Sequence, residues 1–281
     1  MTFEAHAGTV YFVGAGPGAP DFIAVRGRDA IAAADLLIYA DSLVDPAHAD
    51  YARPGARVLG SSAMTLEAVV TEMVTAARRG EVVVRLQSGD PSIYGAMHEQ
   101  IVALRAAEVP YAIIPGVSSA FAAAAALGVE LTVPDVAQTV IFTRAQGRAS
   151  TVPEREALRA LAAHGTTLVL FLSAAIIRRA VEDLLAGGYT PDTPAAVAYR
   201  VTWDDELVVR CTLGEVEATL RAHTVTKQAL VLIGPALAPE DAATTRSRLY
   251  DGTYTHLFRR GETDAAETAA DSTEPPEAAR E

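Results

Sequence analysis

The chain has 281 residues, half of them apolar, enough to bury the core of one large or two small units. Its formal charge is −12, and residues 262–281 carry half of that through seven acids set against Arg280. No stretch interleaves Lys or Arg with aromatics and no apolar run could span a bilayer, so neither nucleic acid nor a membrane is expected as a partner.

The opening MTFEAHAGTV lacks the basic-then-apolar order of a signal peptide, which predicts a cytoplasmic location. Short apolar runs then alternate with segments of helical period, the pattern of α/β layering. Strands are predicted at 9–13, 35–40, 57–59, 81–86 and 110–114, with helices near 23–33, 65–79, 94–107 and 117–127. In the second helix Thr65 is placed to cap the start, Glu67 puts an acid in the first turn, and Gly80 follows where a left-handed cap is expected.

The pattern breaks after ALGVELTVPD, which predicts a domain junction near Pro134. Beyond it we expect a strand at 138–144, a loop with Gly147, Ser150 and Pro153, and a helix near 154–163. A strand at 166–172, a helix at 174–187, strands at 195–201 and 206–213, a helix at 214–222 and a strand at 229–234 follow. Asp204-Asp205 between two adjacent strands reads as a hairpin turn, so this second sheet should be mixed whereas the first is mostly parallel. Cys211, the single cysteine, lies in that hairpin as a half-buried strand residue and excludes an internal disulfide. The six histidines show no ligand spacing, and no metal site is expected. The expected division is 1–134, 135–261 and a disordered acidic tail at 262–281.

Three turns at the carboxyl ends of predicted strands carry the functional signal. In GAGPGA, Gly14, Gly16 and Ala19 have the spacing of a dinucleotide fingerprint, and Asp41 ends the next strand. Pro17 and Pro20 weaken that reading, because one removes an N–H and the other resists helix continuation immediately after the turn. An NAD(P)-dependent oxidoreductase and a tight turn without ligand both remain open. The SGDP turn, Ser88 to Pro91, either lines a pocket or merely starts a helix at Ile93; in PGVSS, Ser118 and Ser119 either meet a ligand or cap a helix.

The ordered set VGAGPGAPD, LLIYADSLV, GSSAMTLE, LQSGDPSIYGA, PGVSSAFAAAAALGVELT, QTVIFTR, TPAAVAYRVTWDDE and RLYDGTYTHLFRR resembles the carbon-11 methyltransferases of precorrin-4 or cobalt-precorrin-4, a branch of the tetrapyrrole methylases. The likeness runs from about Val10 to Arg260. It implies a two-domain α/β fold of the tetrapyrrole methylase type, with S-adenosyl-L-methionine held in a trough between domains. It implies donor contacts at Pro17, at Ser88, Gly89, Asp90 and Ile93, and at Ser118 and Ser119, with Leu172, Val201 and Ala229 from the second domain. Asp41 matches a carboxylate proposed as proton acceptor in the uroporphyrinogen branch, and reads equally as a turn cap.

Three positions depart from the relatives: Ala19 stands where Asp is frequent, Gln87-Ser88 where His-Thr is frequent, and Ser61 in the place of a Lys. A macrocycle rich in carboxylates calls for arginines, and Arg26, Arg28, Arg85, Arg144, Arg148 and Arg200 are candidates, with Arg144 and Arg148 beside the glycine loop foremost. The resemblance also implies a homodimer, and a noncatalytic ligand-binding protein of the same fold is a further alternative.

Overall fold

The computed structural model describes residues 3–147, 151–238, 250–255 and 257–260. Five strands, β1 (Val10–Gly14), β2 (Leu36–Tyr39), β3 (Arg57–Gly60), β4 (Val83–Gln87) and β5 (Tyr111–Ile114), form a wholly parallel sheet in the order β3-β2-β4-β1-β5. β1 and β4 are buried throughout because helices cover both faces, which is why their sequence reads as unbroken apolar runs. Tyr11, Val13, Val84 and Leu86 pack with Ala30 and Ile31 of α1 (Val25–Ala33). On the opposite face Val10, Phe12 and Val83 pack with Val69 and Met73 of α2 (Leu66–Arg78) and Leu104 of α3 (Met97–Ala106). Thr65 caps α2 as expected, accepting from the Ala68 N–H at 3.2 Å.

The second sheet is mixed. β6 (Val140–Arg144) pairs parallel with β7 (Thr167–Phe171), and the antiparallel pairings β7·β10, β10·β8 and β8·β9 complete the order β6-β7-β10-β8-β9, with β8 at Pro194–Tyr199, β9 at Leu207–Thr212 and β10 at Ala229–Ile233. Counting onward in chain order, α4 is Ser119–Leu127, α5 Leu158–Ala162, α6 Ile177–Gly187 and α7 Val216–Ala222. α5, α6 and α7 cover one face of this sheet, and α4 covers the other. Ala120, Ala123 and Leu127 of α4 share a core with Val169, Ala196 and Leu232, and Arg210 of β9 donates to the Leu127 carbonyl at the helix end at 2.6 Å. The expected junction at residue 134 thus follows a helix whose packing partners lie in the second sheet.

Local differences from expectation have local causes. The helix expected from 94 starts at Met97, because residues 91–94 form turns and the Gln87 amide binds the Gly95 carbonyl. Pro20 opens a 3-10 turn over Pro20–Phe22, so α1 begins only at Val25. The helix expected at 154–163 divides into a 3-10 turn at Glu154–Glu156 and α5. A 3-10 helix at Pro46–Tyr51, capped by Asp45, had no sequence signal beyond its Asp-Pro start. Among the described residues no helix is long and apolar enough to cross a membrane. The tail at 262–281 lies outside the described residues.

Candidate functional site

The three turns after β1, β4 and β5 are bound to one another backbone to backbone. Gly16 and Gly89 exchange hydrogen bonds, 2.8 Å from the Gly89 N–H and 3.3 Å from the Gly16 N–H. A Cβ on Gly14 would lie 2.5 Å from the Gly116 Cα and 2.6 Å from the Gly89 oxygen, so only glycines permit this approach. Asp90 spans the second and third turns: one carboxylate oxygen accepts from the Gly116 N–H at 2.9 Å, the other from the N–H and hydroxyl of Ser92. Burial opposes its ionisation, yet those hydrogen bonds outweigh it and hold its carboxyl below the ordinary value. Ser118 caps α4 through the Ala120 N–H at 3.4 Å, and Ser119 is the first helical residue. Pro17, Ser88, Gly89, Asp90, Ser118 and Ser119 therefore surround one glycine junction.

Turns of the second sheet reach across to turns of the first. Trp203 Nε1 donates to the Pro17 carbonyl at 3.3 Å, the Ala19 N–H donates to Thr202 Oγ1 at 2.9 Å, and Gln228 Nε2 donates to the Ser42 carbonyl at 3.0 Å. The Tyr94 ring stands 5.3 Å from Phe171, with the Arg144 guanidinium 6.0 Å from its centroid. Leu172, Val201 and Ala229 lie at neighbouring ends of β7, β8 and β10; Leu172 is 65% exposed whereas Val201 and Ala229 are buried. Tyr94, Ala96, Leu172, Arg200, Thr202 and Gln228 all take positive φ, from 43° to 74°. Strained backbone of this kind concentrates where ligands are held. None of these residues was legible as strained from sequence, because none is glycine. Trp203 lay in a motif that marked the family branch, but nothing local named Pro17 as its partner.

Asp41 follows β2 and is exposed. Its oxygens accept from the Ser62 N–H at 2.7 Å and the Ser62 hydroxyl at 2.6 Å, and the hydroxyl bond foremost holds its carboxyl below the usual carboxylate value. Of the candidate arginines, Arg28 pairs with Asp29, Arg26 lies over Phe3, and Arg200 pairs with Asp205 while stacking 4.1 Å over Trp203. Arg85 is buried, which removes it from direct contact with a macrocycle. Arg144 lies over Tyr94, beside the end of β7; Arg148 lies outside the described residues. A cavity of about 820 Å³ beside α6 and α7, lined by Gln146, Ile176, Arg179 and Leu220 among others, contains none of the expected donor residues. No metal-binding group of His, Cys, Asp and Glu occurs among the described residues.

The geometry disfavours the dinucleotide reading. The Gly16 and Ala19 N–H groups, which a pyrophosphate would need, already serve Gly89 and Thr202. α1 begins nine residues after Gly16, and in the sheet β4 stands between β2 and β1, unlike the dinucleotide order in which strands 2 and 1 adjoin.

Comparison with known proteins agrees. Residues 9–217 match the family model of tetrapyrrole (corrin/porphyrin) methylases. The chain is 46% identical over 253 residues to cobalt-precorrin-4 C(11)-methyltransferase of Priestia megaterium, covering 90% of this chain and 98% of that protein. It is 44% identical over 255 residues to precorrin-4 C(11)-methyltransferase of a Sinorhizobium species, covering 90% and 100%. The crystal structure of a cobalt precorrin-4 methyltransferase of cobalamin biosynthesis superposes with a TM-score of 0.80 at 45% identity, covering 83% of this chain and 97% of that one. Uroporphyrin-III C-methyltransferase of Thermus thermophilus, solved with S-adenosylhomocysteine, superposes at 0.67 with 26% identity, covering 82% and 98%.

Proposed function

Because the chain belongs to the tetrapyrrole (corrin/porphyrin) methylase family, we propose that it transfers methyl from S-adenosylmethionine to carbon 11 of precorrin-4 or of its cobalt form, in cobalamin biosynthesis. The observation that carries this reading is the near-full-length identity with two C(11)-methyltransferases, 46% and 44%. A cytoplasmic location goes with it.

The donor supplies a methyl group already activated by a sulfonium charge, so the protein needs no covalent nucleophile. Its task is to hold sulfur, methyl and carbon in line and keep water out, worth up to about 7–11 kcal/mol. The residues present fit that donor. The glycine junction brings the half-buried Ser88 and Ser119 together with no side chain between them, and Leu172 adds an exposed apolar side chain from the end of β7. In this reading Pro17, Ser88 to Asp90, Ile93, Ser118, Ser119, Leu172, Val201 and Ala229 surround the donor. Arg144, with Arg148, meets substrate carboxylates. Asp41 takes the proton that the methylated macrocycle sheds, a contribution of about two to four orders of magnitude; its ionised state at neutral pH suits the role.

The protein acts as a homodimer in this proposal, which is supported by exposed Ile113, Val117 and Phe121 along β5 and the start of α4, 46%, 38% and 56% exposed. Sedimentation at micromolar concentration checks it, and a 29.5 kDa species alone would remove it. The activity itself is tested by incubating pure protein with S-adenosylmethionine and, in separate arms, precorrin-4 with and without cobalt. One methyl gained per macrocycle, with equimolar S-adenosylhomocysteine, is expected in at least one arm. Donor binding without turnover in either would favour a noncatalytic member of the fold.

A further inference from the structure

Arg85 sits on β4, the central strand of the parallel sheet, in register with Phe12 of β1 and Ile38 of β2. It is 8% exposed. Its Nε donates to Gln100 Oε1 at 3.2 Å, and Nη1 donates to Ser61 Oγ at 3.1 Å and to the Ile38 carbonyl at 3.4 Å. All three acceptors are neutral. Burial pulls its pKa down to about 10 while the negative charge of Asp41 acts against that, so it remains a cation at neutral pH. Taking an ion out of water without a hydrogen-bonded counter-ion is unfavourable, and an apolar side chain of similar volume would sit better between Phe12 and Ile38. Packing therefore does not account for this guanidinium.

Its surroundings point to another task. Ser61, which receives the Nη1 bond, donates its own hydroxyl to the Tyr39 carbonyl at 3.0 Å, tying the turn after β3 to the end of β2. The next residue, Ser62, holds both oxygens of Asp41. A Cβ on Gly60 would lie 2.7 Å from the Asp41 carboxyl carbon, so the carboxylate is seated closely on the end of β3. Arg85, the Ser61-Ser62 turn and Asp41 thus form one connected group, with the cation buried beneath and the anion exposed above.

We propose that Arg85 is a positioning residue for methyl transfer: it fixes the Ser61-Ser62 turn and, through that turn, keeps the Asp41 carboxylate in place. This rests on the reading of Asp41 as the proton acceptor. The substrate never touches Arg85. Its influence should therefore appear in turnover and not in donor affinity, and should vanish when Asp41 no longer carries charge.

A double-mutant cycle tests this, using Arg85→Met and Asp41→Asn singly and together, with Arg85→Lys and Arg85→Gln beside them. Turnover, donor affinity by calorimetry and thermal midpoint are read for each. Arg85→Met should fold with a midpoint no lower than the native one, bind donor within about twofold, and lose about 10- to 100-fold in kcat. In the Asp41→Asn background the same change should remove less than about threefold more, because the two residues act through one step. Arg85→Lys should recover most of the rate. If Arg85→Met does not fold, Arg85→Gln decides, since it keeps a polar group in the strand but is too short to hold Ser61 and should lose turnover likewise. Native turnover by a folded neutral variant, or losses that multiply in the double mutant, would overturn the proposal. Full turnover by Asp41→Asn alone would instead overturn the proton-acceptor reading, and the Arg85 role with it.

Discussion

The turns that the parallel sheet brings to the cleft are locked by glycine backbone, whereas those from the mixed sheet are locked by side chains on strained backbone. Gly14 and Gly116 meet each other and the Gly89 carbonyl where neither has room for a Cβ, and Gly16 and Gly89 spend their polar groups on each other. Across the cleft, Arg200 and Thr202 hold positive φ while Trp203 and Thr202 reach over to Pro17 and Ala19. The first arrangement tolerates almost no substitution, since a backbone contact cannot rotate away. The second is built from groups with torsional freedom and should yield by degrees. In the proposed donor site, one half would then fix the ligand frame and the other adapt to it.

The sharpest way to break the comparison is at the glycine junction. A Cβ on Gly116 would run into the Gly89 carbonyl oxygen and lie 2.7 Å from the Gly14 Cα. Gly116→Ala should therefore destabilise the protein by about 3–5 kcal/mol and abolish donor binding, as read by urea denaturation and calorimetry. Gly89 has positive φ but ordinary space, the nearest atom standing 3.7 Å from a Cβ. Gly89→Ala should cost only about 1–2 kcal/mol. Equal effects at both positions would show that backbone conformation, not close approach, sets the junction.

Next in size is the chemistry at the rim. Asp41→Asn keeps shape and removes charge, so kcat should fall about a hundredfold with donor affinity nearly unchanged. Normal turnover would make Asp41 a turn cap held by Ser62 and nothing more.

How much of this was legible follows from where each signal resides. Each strand of both sheets appears within two or three residues of its expected bounds, because apolar runs and their turn residues are local. The three turns were legible for the same reason. The sheet that α4 covers was not: Ser119 to Leu127 reads as a helix of small residues, and small residues permit close packing without naming a partner. Contacts such as Ala19 with Thr202, 183 positions apart, carry no local mark at all. Arg85 looked like a candidate for substrate carboxylates, and only its place in β4 shows it to be buried.

Asp90 gives a smaller effect. Its folded pKa lies below the ordinary 3.8, so the stability it contributes is present above that value and is lost as pH falls through the folded pKa. Asp90→Ala removes the acceptor for the Gly116 N–H and should weaken donor binding by about 1–3 kcal/mol through loosening of the third turn. Asp90→Asn can keep one acceptor oxygen and should lie between. If donor binding is unchanged in Asp90→Ala, the glycines alone hold the junction.

The smallest effect sharpens the other half of the comparison. Trp203 packs its ring under the Arg200 guanidinium at 4.1 Å and uses Nε1 for one bond to the Pro17 carbonyl at 3.3 Å. Trp203→Phe removes that bond and keeps an aromatic face, so the loss should be about 0.5–1.5 kcal/mol in stability, with donor affinity reduced by no more than about tenfold. Gly18→Ala attacks the same contact from the first domain, because a Cβ there would lie 2.5 Å from Trp203 Nε1 and 2.7 Å from Thr202 Oγ1. If the second half yields by side-chain movement, Gly18→Ala should displace the indole and match Trp203→Phe, and the two changes together should do little more than either alone. If Gly18→Ala instead reaches the severity of Gly116→Ala, the indole cannot move aside. The cleft is then as rigid on its second face as on its first.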